Sequence, residues 1–173
     1  GLLVEAVLAS LATVAAWAWA AEPRLDVFNA QHFANTAWAF ATVGQFNVAL
    51  FAALARAAGP RLGEFIAQEL ANTARAFATA AQLDEVLFAA LAMAAGPRLG
   101  EFNAQNLANT AWAFAKAGQL DEALFVALAR AAEPRLGEFS AQEFANTAWA
   151  FATVGQQGEA LLLALARAAA ESR

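Results

Sequence analysis

The chain has 173 residues, of which 61% are hydrophobic, and alanine accounts for much of that fraction. It contains no cysteine, which excludes disulfides and thiolate metal sites. The net charge of −5 disfavours binding to nucleic-acid backbones, which depends on Lys and Arg, although a local basic stripe is compatible with it.

The first 22 residues form the first predicted element. The chain begins with Gly1 rather than Met, so we expect a processed form or a fragment. Residues 6–21 are apolar and free of charge, but a membrane span needs about 20 such residues. We therefore expect a buried terminal helix rather than a spanning one. Residues 1–22 align, in degenerate form, with the second helix of a preceding repeat and are predicted to cap the array.

A period of 37 residues comes next. Pro-Arg-Leu begins at Pro23, Pro60, Pro97 and Pro134. An Ala-Asn-Thr-Ala phrase follows each of these prolines at the same distance along the chain. Fixed self-similarity of this kind is typical of stacked helical repeats, because one repeat cannot bury its own apolar face. The predicted repeats are residues 23–59, 60–96, 97–133 and 134–173, the last ending in a C-terminal capping helix. All belong to one continuous solenoid domain.

Each repeat is predicted to contain a first and a second helix. In the third repeat, Asn103 caps a helix from about residue 104 to 117, and Gly118 ends it. Asp121 caps the second helix, from about residue 122 to 132, and Pro134 is expected to stop it. Asn47, Asp84 and Gly158 are the corresponding caps in the other repeats. The predicted fold class is all-α, an α-solenoid of antiparallel helix pairs with nine helices: an N-terminal orphan helix and four pairs.

The string from Phe102 to Gly118, FNAQNLANTAWAFAKAG, resembles the first helix of octotricopeptide repeats, known from organellar proteins of algae and protists. The 37-residue length is closer to that of the related heptatricopeptide repeats. The resemblance covers about residues 23–170. It implies an α-solenoid in a chloroplast or mitochondrion, and it implies single-stranded RNA binding in transcript processing, translation or organellar ribosomes.

Two varying polar columns lie in the first turn of the first helices. One comprises Asn29, Ile66, Asn103 and Ser140, and the other comprises His32, Glu69, Asn106 and Glu143. Repeat proteins that read RNA present such varying side chains to single bases. However, these are also the cap and third helical positions, where Asn, Ser and Glu are preferred. We favour capping over base reading.

Two further columns lie in the middle of the first helices. Because Asn forms helices poorly, the constant column is predicted to be a hydrogen-bonded structural ladder between repeats; it comprises Asn35, Asn72, Asn109 and Asn146. The other comprises Trp38, Arg75, Trp112 and Trp149. Arg75 would be costly in a sealed core, so we expect partial exposure. The indoles could stack bases, form a protein interface or pack between repeats.

An arginine follows each Pro of the repeat phrase, and in three repeats a Glu lies three residues beyond that arginine. We favour local ion pairing over a phosphate-binding track. The sequence contains one His and shows no metal-ligand cluster or phosphate loop. It therefore predicts no catalytic residue, no metal and no cofactor.

The predicted function is that of a non-catalytic interaction module. A scaffold or linker that binds a protein partner in a large organellar complex is favoured. Single-stranded RNA binding is the alternative, and DNA is not an expected partner.

The tryptophan column provides a first test. If it is a binding surface, Trp112→Ala and Trp149→Ala should weaken partner binding without unfolding the array. Circular dichroism and thermal melting of both variants test whether the array stays folded. A large loss of helicity or of cooperative melting would place the column in the core.

Overall fold

The computed structural model describes residues 16, 19–44 and 48–155. Within them it contains seven α-helices, four 3-10 helices and no strand. The α-helices are α1 (Ala30–Thr42), α2 (Val48–Ala58), α3 (Ala67–Thr79), α4 (Glu85–Ala95), α5 (Ala104–Lys116), α6 (Glu122–Ala132) and α7 (Ala141–Val154). The predicted orphan helix, the Asn47 and Gly158 caps and the final helix fall mainly or wholly outside the described residues.

Local sequence signals determine where the helices begin. Asn103 caps α5 by accepting a hydrogen bond from the backbone N–H of Asn106 at 2.8 Å. Asp84 and Asp121 cap α4 and α6 in the same way, accepting from the N–H three residues on. These bonds satisfy N–H groups that have no partner within the helix.

The proline phrases form 3-10 helices, which the sequence did not predict. They are η1 (Glu22–Val27), η2 (Gly59–Glu64), η3 (Gly96–Glu101) and η4 (Glu133–Glu138). The second helix of the third repeat ends at Ala132, as expected from Pro134, and η4 follows it directly. Proline occupies the first turn of the 3-10 helix, whose own hydrogen bonds do not use the N–H of that position. The backbone therefore changes helix type at this point and stays helical.

The helices form two layers. Successive first helices pack directly on one another, α1 on α3, α3 on α5 and α5 on α7. Each second helix instead contacts the 3-10 helices before and after it. Ala76 and Ala113, which lie on first helices, are fully buried, and their small side chains allow this close approach. The all-α solenoid prediction is confirmed.

Phenylalanine pairs join each second helix to the first helix that follows. Phe51 meets Phe77 edge to face, with ring centroids 5.0 Å apart. The pairs Phe88–Phe114 and Phe125–Phe151 repeat this contact at 5.1 and 5.4 Å. All six rings are buried, so the same aromatic contact lies at each of these three repeat junctions.

The arginine of each proline phrase from the second repeat onward also reaches back to the preceding repeat. Arg61 donates from Nη1 to the carbonyl of Phe28 at 2.6 Å, and Arg98 donates to that of Phe65 at 2.7 Å. Arg135 makes the equivalent bond to Phe102. We call this contact the arginine clamp. It joins a 3-10 helix to the residue that precedes the first-helix cap one repeat earlier.

Each clamp arginine also pairs with the glutamate three residues on. The Arg61–Glu64, Arg98–Glu101 and Arg135–Glu138 pairs are 3.2, 3.0 and 2.8 Å long, which confirms the predicted local pairing. The hydrogen bond from Arg135 lowers the pKa of the Glu138 carboxyl. The glutamates are largely exposed, and such pairs contribute little to stability.

Arg98→Ala tests the arginine clamp. We expect the free energy of unfolding to fall by about 1–2 kcal/mol, because a charged hydrogen bond is lost and the Phe65 carbonyl loses its donor. The urea transition should also broaden, since the bond couples two repeats. Urea denaturation followed by circular dichroism measures both effects.

Two control variants separate the clamp from the surface charge. Glu101→Gln removes only the ion pair and should cost about 0.5 kcal/mol or less. Arg130→Ala removes an exposed arginine from the end of α6 and should have a similarly small effect. Equal losses in all three variants would contradict a stabilising role for the clamp.

A left-handed residue ends each first helix. Gly44, Gly118 and Gly155 have φ values of 68°, 67° and 84°. Ala81 occupies the same column in the second repeat with φ of 53°. An L-residue with a side chain is strained in this region, and glycine is not.

Exchange between Ala and Gly at this column should therefore have opposite effects in neighbouring repeats. Ala81→Gly should raise the free energy of unfolding by about 1 kcal/mol, and Gly118→Ala should lower it by a similar amount. A Cβ at Gly118 would have no heavy atom within 4 Å, so backbone strain alone determines its effect. Denaturation of both variants tests this, and a change of the same sign in both would refute it.

None of the described helices is both long enough and apolar enough to cross a membrane.

Candidate binding surface

The first helices display two columns on one face. In each first helix, the Trp or Arg lies three residues after the Asn, so the two side chains are neighbours on the helix surface. We call this surface the Asn–Trp face; its residues are Asn35, Asn72, Asn109 and Asn146 with Trp38, Arg75, Trp112 and Trp149. Trp38 and Trp149 are 42% and 45% exposed, and Trp112 is half-buried against the core. The face thus offers large apolar rings to solvent.

Arg75 lies between two indoles. Its guanidinium carbon is 5.5 Å from the ring centroid of Trp38 and 5.7 Å from that of Trp112, within range of cation–π attraction. Its Nη1 donates to Oδ1 of Asn109 at 2.7 Å. These contacts span three repeats, and they explain how a half-buried arginine is tolerated without an acidic partner.

The four asparagines of the face are not equivalent. Asn109 is buried and accepts the bond from Arg75 on the preceding first helix. Among the described residues, the side chains of Asn35, Asn72 and Asn146 form no hydrogen bond, and they are exposed or half-buried. The structure therefore contains one inter-repeat bond in this column and three amides open to other contacts.

The varying polar columns lie at the helix starts and form caps. Ser140 accepts from the N–H of Glu143, whose carboxylate accepts from the N–H of Ser140 at 2.7 Å. Asn29 and His32 form the same reciprocal pair. Ile66 has no side-chain acceptor, so only Glu69 contributes there, at 2.9 Å from the N–H of Ile66. Most of these polar atoms are therefore engaged with the backbone.

Most of the cations near the first helices also have partners. Arg61, Arg98 and Arg135 form the arginine clamps, and Arg75 is held between its indoles. Four other cations are exposed and form no ion pair with a described residue: Arg24, Arg56, Lys116 and Arg130. Of these, only Lys116 lies on a first helix.

The described residues contain no group of three or more His, Asp or Glu side chains that could hold a metal ion. An apolar cavity of about 490 Å³ lies beside α1, with Phe28, Phe40 and Val43 in its wall. His32 is exposed and takes part in capping α1.

Two kinds of contact between repeats were not predicted from the sequence. The clamp bonds and the Arg75–Asn109 bond each join residues more than 30 positions apart. The only sequence signal for the clamp bonds was the constant arginine. Its acceptor is a backbone carbonyl, which every residue has, so the sequence does not identify it. The signal for the second was the single arginine in a tryptophan column.

Comparison with known proteins gives one family match. No curated protein matches the chain. The family described as "RNA-editing substrate-binding complex 6 protein" matches residues 21–172. It is a helical-repeat family, which agrees with the architecture, but the match does not single out octotricopeptide repeats. Because the match covers most of the 173 residues, the chain belongs to the RNA-editing substrate-binding complex 6 protein family.

Proposed function

We propose that this chain is a non-catalytic scaffold subunit that binds a protein partner through the Asn–Trp face within an RNA-editing substrate-binding complex. The complex in this proposal is the one that the description of the matching family names. The proposed location is an organelle, and the mitochondrion fits an RNA-editing complex best.

The observation that carries this proposal is the use of the arginines inside the array. An RNA-binding surface gains most of its affinity from cations that contact phosphates. Here the three clamp arginines and Arg75 are held by carbonyls, glutamates and indoles, and the chain carries a net charge of −5. The Asn–Trp face presents partly exposed indoles and asparagine amides, and tryptophan is enriched at the centres of protein interfaces.

Single-stranded RNA is the second candidate. Trp38 and Trp149 are exposed, and aromatic rings can stack bases of any sequence. The word "substrate-binding" in the family name is compatible with this function. The scarcity of free cations on the first helices favours the protein partner.

A photo-crosslinking residue in place of Trp149 tests the proposal in the assembled complex. We expect adducts with another protein chain, because the 45% exposed indole is placed to contact the partner. Mass spectrometry after nuclease and protease digestion identifies the adduct.

The matched control carries the same crosslinker at Met93, which is 80% exposed on α4 in the other layer. We expect few or no adducts there. Nucleotide adducts at position 149, or equal protein adducts at both positions, would contradict the proposal.

A further inference from the structure

One side of α1 is uncovered, although the same side of every later first helix is buried. A threonine, an alanine and a phenylalanine on that side are buried in α3, α5 and α7: Thr73, Ala76 and Phe77; Thr110, Ala113 and Phe114; Thr147, Ala150 and Phe151. A preceding first helix packs on each of these three helices. The equivalents in α1 are Thr36, Ala39 and Phe40, which we call the leading side; Ala39 is exposed and the other two are half-buried. Among the described residues, no first helix precedes α1.

The apolar cavity of about 490 Å³ lies along the leading side. All three leading-side residues contribute to its wall, and so do Arg24 and Phe28. In the second repeat, the equivalents of Arg24 and Phe28 are Arg61 and Phe65, and both meet the ring of Phe33 on α1, at 5.7 and 6.2 Å from its centroid. The cavity therefore lies where a first helix lies in the rest of the array.

Arg24 is the equivalent of the clamp arginines, but it has no clamp partner. It follows its proline as they do, yet its side chain is exposed and forms no hydrogen bond or ion pair with a described residue. Val27 stands where the other three repeats carry the paired glutamate. The guanidinium is therefore free to donate to a carbonyl, or to pair with an acidic side chain, of a molecule in the cavity.

The rest of the array shows which chemistry completes such an end. Each clamp acceptor is the carbonyl before a helix cap, and each buried leading side packs against an alanine-rich helix. On α5 the alanines Ala108, Ala111 and Ala115 are buried, whereas Ala145 and Ala152 at the equivalent positions of α7 are exposed, so this side faces the next repeat. An occupant thus needs a capped helix start, an apolar residue in the first turn and small residues along one side.

A second copy of this chain is a less suitable occupant. Its α7 would supply the required alanines, but first and second helices alternate along the array. The predicted final helix of one copy and the predicted orphan helix of the other would then compete for the single second-helix position between α7 and η1. One helix supplied by a different chain meets no such conflict.

We infer that this end of the array binds an alanine-rich amphipathic helix of a different protein chain, with the sequence pattern of this chain's own first helices. The bound helix lies along the leading side of α1, and Arg24 donates to the backbone carbonyl at its start. This interaction goes beyond the proposed function, because it lies at one end of the array and does not depend on what the Asn–Trp face binds.

The test uses the full chain and a fluorescein-labelled peptide with the sequence of residues 102–118, which includes one first helix and its cap. Fluorescence anisotropy should show saturable binding. Ala39→Asp should weaken binding at least about tenfold, because it would bury a carboxylate against the alanines of the peptide. Arg24→Gln should weaken it about threefold to tenfold through loss of a charged hydrogen bond. Both side chains are exposed in the free chain, so both variants should stay folded.

Each variant has a matched control. Ala152→Asp places the same charge on an exposed alanine of α7, and Arg56→Gln removes an exposed arginine from α2. Each should change the affinity by less than about twofold. A peptide with glutamine in place of Ala108, Ala111 and Ala115 should bind at least about tenfold more weakly, because the side that packs on α1 is no longer small.

Absence of binding, equal affinity in all variants, or equal binding of the glutamine peptide would overturn the inference. Loss of binding in Ala152→Asp alone would place the peptide on α7 and would overturn it too. Sedimentation velocity of the chain alone is a further check, since oligomers that Ala39→Asp dissociates would identify a second copy as the occupant. Crosslinks at position 149 report on a different surface, so this inference and the proposed function can fail separately.

Discussion

The arginine clamp is a hydrogen bond that recurs at each of the three junctions between the four described repeats. In each clamp a guanidinium beside a proline donates to a phenylalanine carbonyl of the preceding repeat. The proline sets the 3-10 helix that aims the arginine, and the carbonyl belongs to the residue before a helix cap. The 3-10 helices therefore lie between successive second helices, while the alanine-rich first helices pack directly on one another. Each clamp arginine therefore belongs to the 3-10 helix of its own repeat and also makes the contact with the preceding repeat.

That use of arginine also shapes the surface. Clamp arginines face carbonyls and glutamates of the array, so they are not arranged as a track for phosphates. Arg75 is also engaged within the array, because it contacts two indoles and donates to the Asn109 amide oxygen. The first helices are left with partly exposed tryptophans and with asparagine amides that bond to no described residue. We regard this as a surface for a protein partner, because tryptophan is enriched at protein interfaces and asparagine offers both a donor and an acceptor.

Much of the fold could be predicted from the sequence because its signals are local. The 37-residue period, the Asn103 and Asp121 caps and the glycine that ends most first helices all act within a few residues of their position. The 3-10 helices could not be predicted, because a proline marks the end of an α-helix and leaves the conformation of the next residues open. The partners of Arg98 and Arg75 could not be predicted either, since they depend on how repeats are stacked. The roles of the Trp and Asn columns stay predictions, since exposure alone does not identify what binds them.

We propose that the Asn–Trp face binds a protein partner rather than RNA. The most direct measurement is fluorescence anisotropy of a labelled random single-stranded RNA pool with the purified chain, at low and near-physiological salt. We expect no saturable binding even at low salt, because few free cations lie on the first helices. Saturable binding that weakens steeply with salt, and that Trp149→Ala abolishes, would contradict it.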